Sequence, residues 1–534
     1  MRSGSWTLGV RPIENVEDKS DWHGSLGSQQ LGGHAGKRRE SAQGQGEPAV
    51  DWMAGQVKDQ RMPTPDACSL QDSLVPEHWQ VHPATVPAAL PLIPRPGTKA
   101  LGGPSACYKT SSSNNFYPGP LHSIGADTQQ RLHNSRPKAT LILDLPPSCL
   151  LFSPTHPDFF VVGTYNLQKD DTSAGPSDED PKAEDAKKPQ SRNGSLVVFR
   201  LEGDKIIKLQ TTPHPSALLD LRFHPDIARH QDILAVVSST GTLAIFRFDP
   251  ERDAASPLQH VATSRCTDLD DDTLFLQCAW HPTLANAIAV TTSSGLARLL
   301  HLDRDWKIEG HIDLDVPNSL EAWSIAFSSP LDQGQQTVSA YCGGDDSMLR
   351  YASYSVGDGG LVQDSEALFP PVTIKGQHDA GVTAILPLPL FTDDGGRVVV
   401  TGSYDDHMRV FSIHDLDASY GMKKVRRLAE KNVGGGVWRL NLVDIKSPRT
   451  VRVLASCMHA GARLLEISSD GSGWACTVLG RFEEHKSMNY ASDFVPLPGS
   501  ESGLRCVSTS FYDKLLCLWD YEGSHVPEAA LPAA

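Results

Sequence analysis

Four runs within one stretch, GVTAILPLP (381–389), RVVVTGSYDD (397–406), HMRVFSIHD (407–415) and KKVRRLAEK (423–431), decide the fold. Each is short, rich in β-branched and apolar residues, and bounded by Gly, Pro, Asp or Ser, the texture of strands separated by tight turns. The same four-run grouping recurs on both sides at intervals of roughly 40 to 55 residues, the range of propeller blades. Upstream lie SCLLFSP, FFVVGTYN, SLVVFRLEG and KIIKLQ (148–210), then ALLDLRFHP, ILAVVSSTG, TLAIFRFDP and LQHVATS (217–264). LFLQCAWHP, AIAVTTSSG, LARLLHLD and WKIEGHIDL (274–314) follow, then EAWSIAFSS, TVSAYCGGDD, SMLRYASYS and PVTIKGQ (321–377). Downstream come GVWRLNLVD, VRVLASCMH, ARLLEISSD and WACTVLGRF (436–482), and last a group of only three, SDFVPLP, LRCVSTSFYD and LLCLWDYE (492–522).

The missing strand has a donor. TLILDLP (140–146) precedes the first group and has no group of its own. Pairing it with the last group closes the ring and leaves no open sheet edge. The sequence therefore predicts an all-β chain, a seven-bladed β-propeller over 137–526. Residues 1–136, rich in Gly, Ser, Gln, Pro and His without sustained period, read as a disordered low-complexity extension. Residues 169–192 (KDDTSAGPSDEDPKAEDAKKPQSR) read as a disordered loop, and 527–534 as a tail.

Composition narrows the function. With 48 basic against 64 acidic residues, a formal charge of −16, the chain lacks the basic footprint of a nucleic-acid binder. Ten scattered cysteines without a C-x-x-C pair suggest neither a structural zinc nor a disulfide scaffold, so no metal or other cofactor is expected. The opening MRSGSWTLGV lacks a signal-peptide layout, and the most apolar stretch, Val382 to Phe391, is short and broken by Pro387 and Pro389. A monomeric cytoplasmic protein with no membrane contact is the expectation. No G-x-S-x-G, P-loop or H-E-x-x-H signature occurs, and a GxGxxA match at Gly44 and Gly46 lies in low-complexity sequence.

Position within the blades separates structural from chemical residues. His378, Ser403, Asp405 and Phe411 in the fifth group, Asp513 and Trp519 in the seventh, and Asp346 in the fourth resemble the His, Ser, turn Asp and Trp of WD repeats. His378, Asp405, Asp346 and Asp513 are then expected to hydrogen-bond within blades. The sixth group departs, with His459 where the turn Asp belongs. The rim of the central channel carries the chemistry a propeller can offer. Glu321 and Trp323 open the fourth group, and Gly434, Gly435, Gly436 and Trp438 open the sixth. Asp345, Tyr404, Met458 and Tyr512 precede the turn residues of their groups, and His485, Asn489 and Tyr490 enter the seventh. Aromatic and acidic groups at such a rim suit a cation, although aromatics there also serve as plain plugs.

The ordered set GGDD (343–346), TGSYDDH (401–407), GGVWR (435–439), ASCMHAG (455–461) and TSFYDKLLCLWDYEG (509–523), with GTYNL (163–167) and EAWSIAF (321–327), resembles the diphthine methyltransferase family. The resemblance runs from about Ser148 to Gly523. It implies a step of diphthamide biosynthesis on translation elongation factor 2, hydrolysis of the methyl ester of methylated diphthine to diphthine. The expected partner is that factor through its modified histidine, with no nucleic acid bound directly. The family's catalytic residues are not implied by the match. The rim itself supplies candidates. Trp323, Trp438, Tyr404 and Tyr490 would hold the trimethylammonium group. His459 or His485 would act as general base, with Glu321 or Asp345 orienting it, and backbone N–H groups at Gly435 and Gly436 would face the oxyanion. Two readings stay open beside it: a non-enzymatic scaffold in translation control or endosomal recycling, and a methyl-lysine reader using the same aromatics.

Overall fold

A computed structural model of the chain describes residues 133–167, 191–230, 232–328, 337–355 and 367–523. The expected disordered extension, loop and tail lie outside the described residues, apart from 133–136 and 191–192 at their margins. Those described form seven sheets, each built on four antiparallel strands and two carrying a short fifth strand, so the propeller expectation holds. Counting strands a to d in each blade, blade one is Pro147–Phe152, Phe159–Thr164, Arg192–Glu202 and Lys205–His214. Blade two is Leu218–Phe223, Ile233–Ser238, Thr242–Phe248 and Leu258–Arg265; blade three is Phe275–Trp280, Ala287–Thr292, Ala297–Leu302 and Ile308–Asp313. Blade four is Ala322–Phe327, Thr337–Gly344, Leu349–Ser355 and Val372–Ile374; blade five is Val382–Phe391, Arg397–Ser403, His407–Ile413 and Val425–Asn432. Blade six is Val437–Ser447, Thr450–Cys457, Gly461–Ser469 and Trp474–Phe482. Blade seven takes its a, b and c strands from Ala491–Pro496, Leu504–Thr509 and Leu515–Tyr521, and its d strand from Pro137–Ile142.

That last pairing is the predicted closure. Ala139 to Ile142 run antiparallel to Leu518 to Leu515, burying Leu143 in one cluster with Leu516 and Leu518. Just upstream, His133 and Asn134 pair in parallel with Gly480 and Arg481 on the outer edge of blade six, so the incoming chain spans two blades. Ser135 fastens the crossing, its N–H donating to Arg481 O and its Oγ–H to Asp520 O, both at 2.9 Å.

The a strands line the central channel and pack on one another in sequence around the ring. Each of the seven junctions is stitched by a hydrogen bond between a side chain of one a strand and the backbone of the next. Ser148 Oγ–H donates to Leu218 O (2.7 Å), Ser324 Oγ–H to Val382 O (3.2 Å), Thr383 Oγ–H to Val437 O, and the Asn441 amide to Ser492 O (2.8 Å). In the other direction, Cys278 N–H donates to Asp220 (3.2 Å), Ile325 N–H to Gln277 (2.7 Å) and Phe152 N–H to Asp493 (2.8 Å). Motif glycines permit this close approach. A Cβ on Gly343 would lie 2.6 Å from Val382 Cγ1, and one on Gly402 2.4 Å from Val437 Cγ1. Gly343 of GGDD and Gly402 of TGSYDDH are thus contacts between blades.

Replacing Gln277 by methionine keeps the packed volume and leaves a buried Ile325 N–H without an acceptor, a cost of about 1–3 kcal/mol. Equilibrium urea denaturation is expected to give a lower midpoint at unchanged slope; an unchanged midpoint would remove the third junction from the girdle.

Candidate functional site

A repeated backbone irregularity makes the channel mouth. In blades one to six the register of strands a and b slips near the start of strand a, leaving Ser148, Leu219, Leu276, Trp323, Thr383 and Trp438 unpaired. A bulge of this kind re-aims a side chain out of the alternating pleat. A second ring of positions lies at the end of strand b, fixed by one hydrogen bond per blade. Tyr165, Ser239, Ser293, Asp345, Tyr404, Met458 and Phe511 donate N–H to Pro146, Ala217, Leu274, Glu321, Gly381, Gly436 and Met488, at 2.8 to 3.1 Å. Those two rings hold most of a single apolar cluster, including Tyr165, Leu219, Leu276, Trp323, Trp438, Met458, Tyr490 and Phe511.

The four aromatics singled out from sequence come together. Trp323 and Trp438 have ring centroids 5.3 Å apart, Tyr404 and Trp438 5.9 Å, and Trp438 and Tyr490 4.9 Å. Phe511 extends the chain of rings, 5.3 Å from Tyr490 and 6.1 Å from Tyr165. Sequence reasoning put Tyr512 in this ring. The blade-seven turn is longer, so Phe511 takes the equivalent position and Tyr512 packs on it edge-on at 5.0 Å. Trp323 is 7% exposed, Trp438 6% and Tyr490 2%, so the rings form a packed floor with slivers of aromatic surface open to the mouth.

Glu321 and Asp345 stand beside that floor on blade four. Asp345 is half-buried against Gly381 and Tyr404, its Oδ1 2.8 Å from where a Cβ on Gly381 would sit. Burial pushes its carboxyl up to about 7, aided by the like charge of Glu321 and opposed by the indole N–H of Trp323. That indole nitrogen is buried and makes no hydrogen bond of normal geometry. Burial and the two acids raise the Tyr404 phenol well above its usual value.

The two histidines divide. His485 is corrected from base candidate to blade-seven framework. Its Nε2 meets Ser508 Oγ at 2.8 Å, Ser508 Oγ accepts from Trp519 Nε1 at 3.0 Å, and burial lowers its imidazole to about 4. It is the counterpart of His378, whose Nε2 meets Thr401 Oγ1 at 2.8 Å. The expected turn acids also act locally, through arginine: Asp405 with Arg409 at 2.8 Å and Asp346 with Arg350 at 2.7 Å. His459 instead is exposed, in the one-turn 3-10 segment Met458–Ala460. Gly435 lies under that turn, where a Cβ would come 2.8 Å from Ala460 N and 3.2 Å from His459 N. The carboxylate whose charge His459 offsets is Asp406, which sequence reasoning passed over; burial raises its pKa and His459 opposes the shift. Neither Glu321 nor Asp345 is brought to His459 by any contact among the described residues.

Other pockets are elsewhere. A cavity of about 930 Å³ between blades two and three, lined by Arg229, Arg247, Asp303 and Trp306, opens at the opposite strand ends from the mouth. Cys266, Asp268 and His311 bring donor atoms within 4.8 Å of one another, a spacing that fits a metal. Arg298 already fills that space, with Nη1 2.9 Å from Asp268 and Nε 2.6 Å from Asp313, so the group is an ion-pair network.

Comparison with known proteins follows the motifs. No family model matches the chain. The diphthine methyltransferase of Schizosaccharomyces pombe is 27% identical over 389 residues, covering 72% of this chain and 97% of the relative. That of Saccharomyces cerevisiae is 25% identical over 417 residues, covering 70% and 95%. A diphthine methyltransferase homolog of Dictyostelium discoideum is 24% identical over 405 residues, covering 72% and 98%. Among solved structures, a chain of the mitotic checkpoint complex crystal structure aligns with 76% of this chain and all of its own, at 15% identity and a TM-score of 0.45. The family resemblance read from the motifs therefore holds.

Because Asp345 binds its proton more tightly folded than unfolded, it favours the folded state most at low pH. That advantage fades as pH rises from about 4, where the unfolded carboxyl ionises, through about 7. Asp345→Asn is accordingly expected to match wild type in thermal midpoint at pH 4 and exceed it by about 2–4 °C at pH 8. Equal midpoints at both pH values would mean that the carboxyl is not perturbed.

Proposed function

We propose that this relative of the diphthine methyltransferases acts in diphthamide biosynthesis as a methylesterase, cleaving the methyl ester of methylated diphthine on elongation factor 2. One observation carries the reading. The mouth gathers aromatic surface, a carboxyl poised near neutral pH and a second acid within one small region, and this substrate pairs a quaternary cation with an ester. Trp323, Trp438, Tyr404 and Tyr490 would bind the trimethylammonium group by cation–π contact, and Glu321 would balance its charge. With its pKa near 7, Asp345 is matched to general-base work at physiological pH. In this reading it takes a proton from water, whose oxygen attacks the ester carbonyl; the carbon–methoxide bond then breaks and the departing oxygen takes a proton, giving methanol and the free carboxylate. His459, exposed beside Gly435, is the candidate proton donor, and N–H groups at Gly435 and Gly436 would face the oxyanion. A cytoplasmic location, a monomeric state and recognition of elongation factor 2 without direct nucleic-acid contact belong to the same proposal.

The non-catalytic reading, scaffold or methyl-ammonium reader, draws on the tight packing of the aromatic floor. It expects cation binding without methanol release. Methanol release from the methylated factor by the purified full-length chain separates the two. Asp345→Asn is expected to lower kcat about 100-fold or more, whereas His485→Ala loses thermal stability and keeps turnover in the folded fraction. Glu321→Gln removes the like charge that helps raise the Asp345 carboxyl, so the acidic limb of kcat/KM, near pH 7 in the wild type, should move to lower pH. Wild-type protein that binds the factor and releases no methanol would end the esterase reading.

A further inference from the structure

The motif GGVWR places Trp438 in the mouth and ends on an arginine. Arg439 follows the bulge residue directly and turns into the channel. Its Nη2 crosses to blade two, 3.1 Å from Asp220 Oδ1 and 3.4 Å from Leu219 O. Leu219 is itself the bulge residue of blade two and part of the aromatic cluster. The pair is thus a strut between two mouth residues 219 positions apart in sequence, made by the residue next to each. It is deeply buried: the Arg439 side chain is 10% exposed and that of Asp220 2%. Asp220 is held in turn by Arg222 Nε at 3.4 Å and by the Cys278 N–H of the girdle. Beneath lies a void of about 10 Å³, lined by Cys149, Asp220, Arg222, Arg439, Asn441 and Ser492. A buried ion pair is weak evidence of stability, since apolar replacements of equal volume often do as well. What it supplies is direction, since a planar guanidinium whose Nη2 meets both the Asp220 carboxylate and the Leu219 carbonyl fixes geometry that an apolar side chain leaves loose. Arg439 also sits against Trp438 itself, its guanidinium carbon 6.0 Å from the indole centroid.

We propose that Arg439 is a positioning residue, holding the Trp438 ring at the angle that presents its face to a cation in the mouth. The pair with Asp220 has a second effect, since Asp220 cancels a positive charge that would otherwise stand beneath that ring. The inference rests on the mouth being a cation site, yet its first measurement needs no substrate. Full-length protein labelled with 5-fluorotryptophan, the signals assigned by Trp438→Phe and Trp519→Phe, reports the two rings separately by fluorine NMR. In Arg439→Met the Trp438 resonance is expected to move or broaden while that of Trp519, in the blade-seven framework, stays in place. Titration with tetramethylammonium is then expected to give at least five-fold weaker binding in Arg439→Met, partial recovery in Arg439→Lys, and weaker binding in Asp220→Asn.

The alternative has the opposite sign. If the arginine acted only as a charge, removing it would leave the region more negative and tighten cation binding. Tighter binding in Arg439→Met, or an unmoved Trp438 resonance with wild-type affinity, would overturn the inference. Wild-type protein that binds no tetramethylammonium would instead refute the cation mouth, and the Trp438 resonance alone would then decide the role of Arg439. Displacement of both tryptophan signals would mean general misfolding and count against a local positioning role.

Discussion

Seven hydrogen bonds between neighbouring a strands hold the ring in one size, and everything at the mouth depends on them. Each joins a side chain on one blade to a backbone group on the next, so each specifies the registration of two blades rather than the mere fact of their contact. Their chemistry is mixed: hydroxyls donate to carbonyls at three junctions, an amide at a fourth, and carboxylates or a glutamine accept at the other three. Because these groups are buried, an unmade bond would cost more than a made one contributes, which gives the closed ring a sharp optimum. The bulges sit one residue from several of these stitches. A mouth residue such as Trp323 therefore has its position fixed by Ser324, and Trp438 by the Val437 carbonyl that Thr383 seeks.

Much of the architecture was legible because propeller strands are local. The four-run groups and the orphan TLILDLP led directly to seven blades and to the closing strand, which pairs where the count required. The co-location of Trp323, Trp438, Tyr404 and Tyr490 followed from their equivalent positions near blade entries and b–c turns. Side-chain function was less legible. His485 read as a free base because its partner Ser508, and the Trp519 that donates to Ser508 in turn, lie over 20 and over 30 residues away and the loop before it is irregular. The signal was nevertheless present: Ser508 follows His485 at the 23-residue spacing by which Thr401 follows His378, and Trp519 stands within one residue of the place that Phe411 takes. Tyr512 was misplaced by a turn two residues longer than that of blade five, a length that periodicity cannot weigh. Asp406 was overlooked because it follows a turn aspartate already assigned a role; its backbone is left-handed, at φ 64°, and its electrostatic partner, His459, lies on the next blade.

The site combines features that oppose one another energetically. Aromatic packing excludes water from the floor and so raises the cost of ionising Asp345, while Glu321 adds a like charge beside it. A stable mouth would have had neither acid. Retaining both leaves a carboxyl that is half protonated where most carboxylates are fully ionised, at some expense in folded stability. Asp493, at the seam between blades seven and one, has a related condition for a different reason: burial lifts it to about 6 even though it accepts the Phe152 N–H.

Blade seven is built from the two ends of the described chain, and this governs the order in which the molecule can be made. Ser135 and Asp520 touch across 385 positions of sequence, so on the ribosome the first strand waits roughly 20 to 80 s for its partner to be synthesised. Throughout that interval the nascent protein is an arc of blades with an unpaired strand at its leading end. The backbone groups of Pro137–Ile142 then stay open until Leu515–Tyr521 arrives, so closure of the ring depends on that one late pairing rather than on the folding of any single blade.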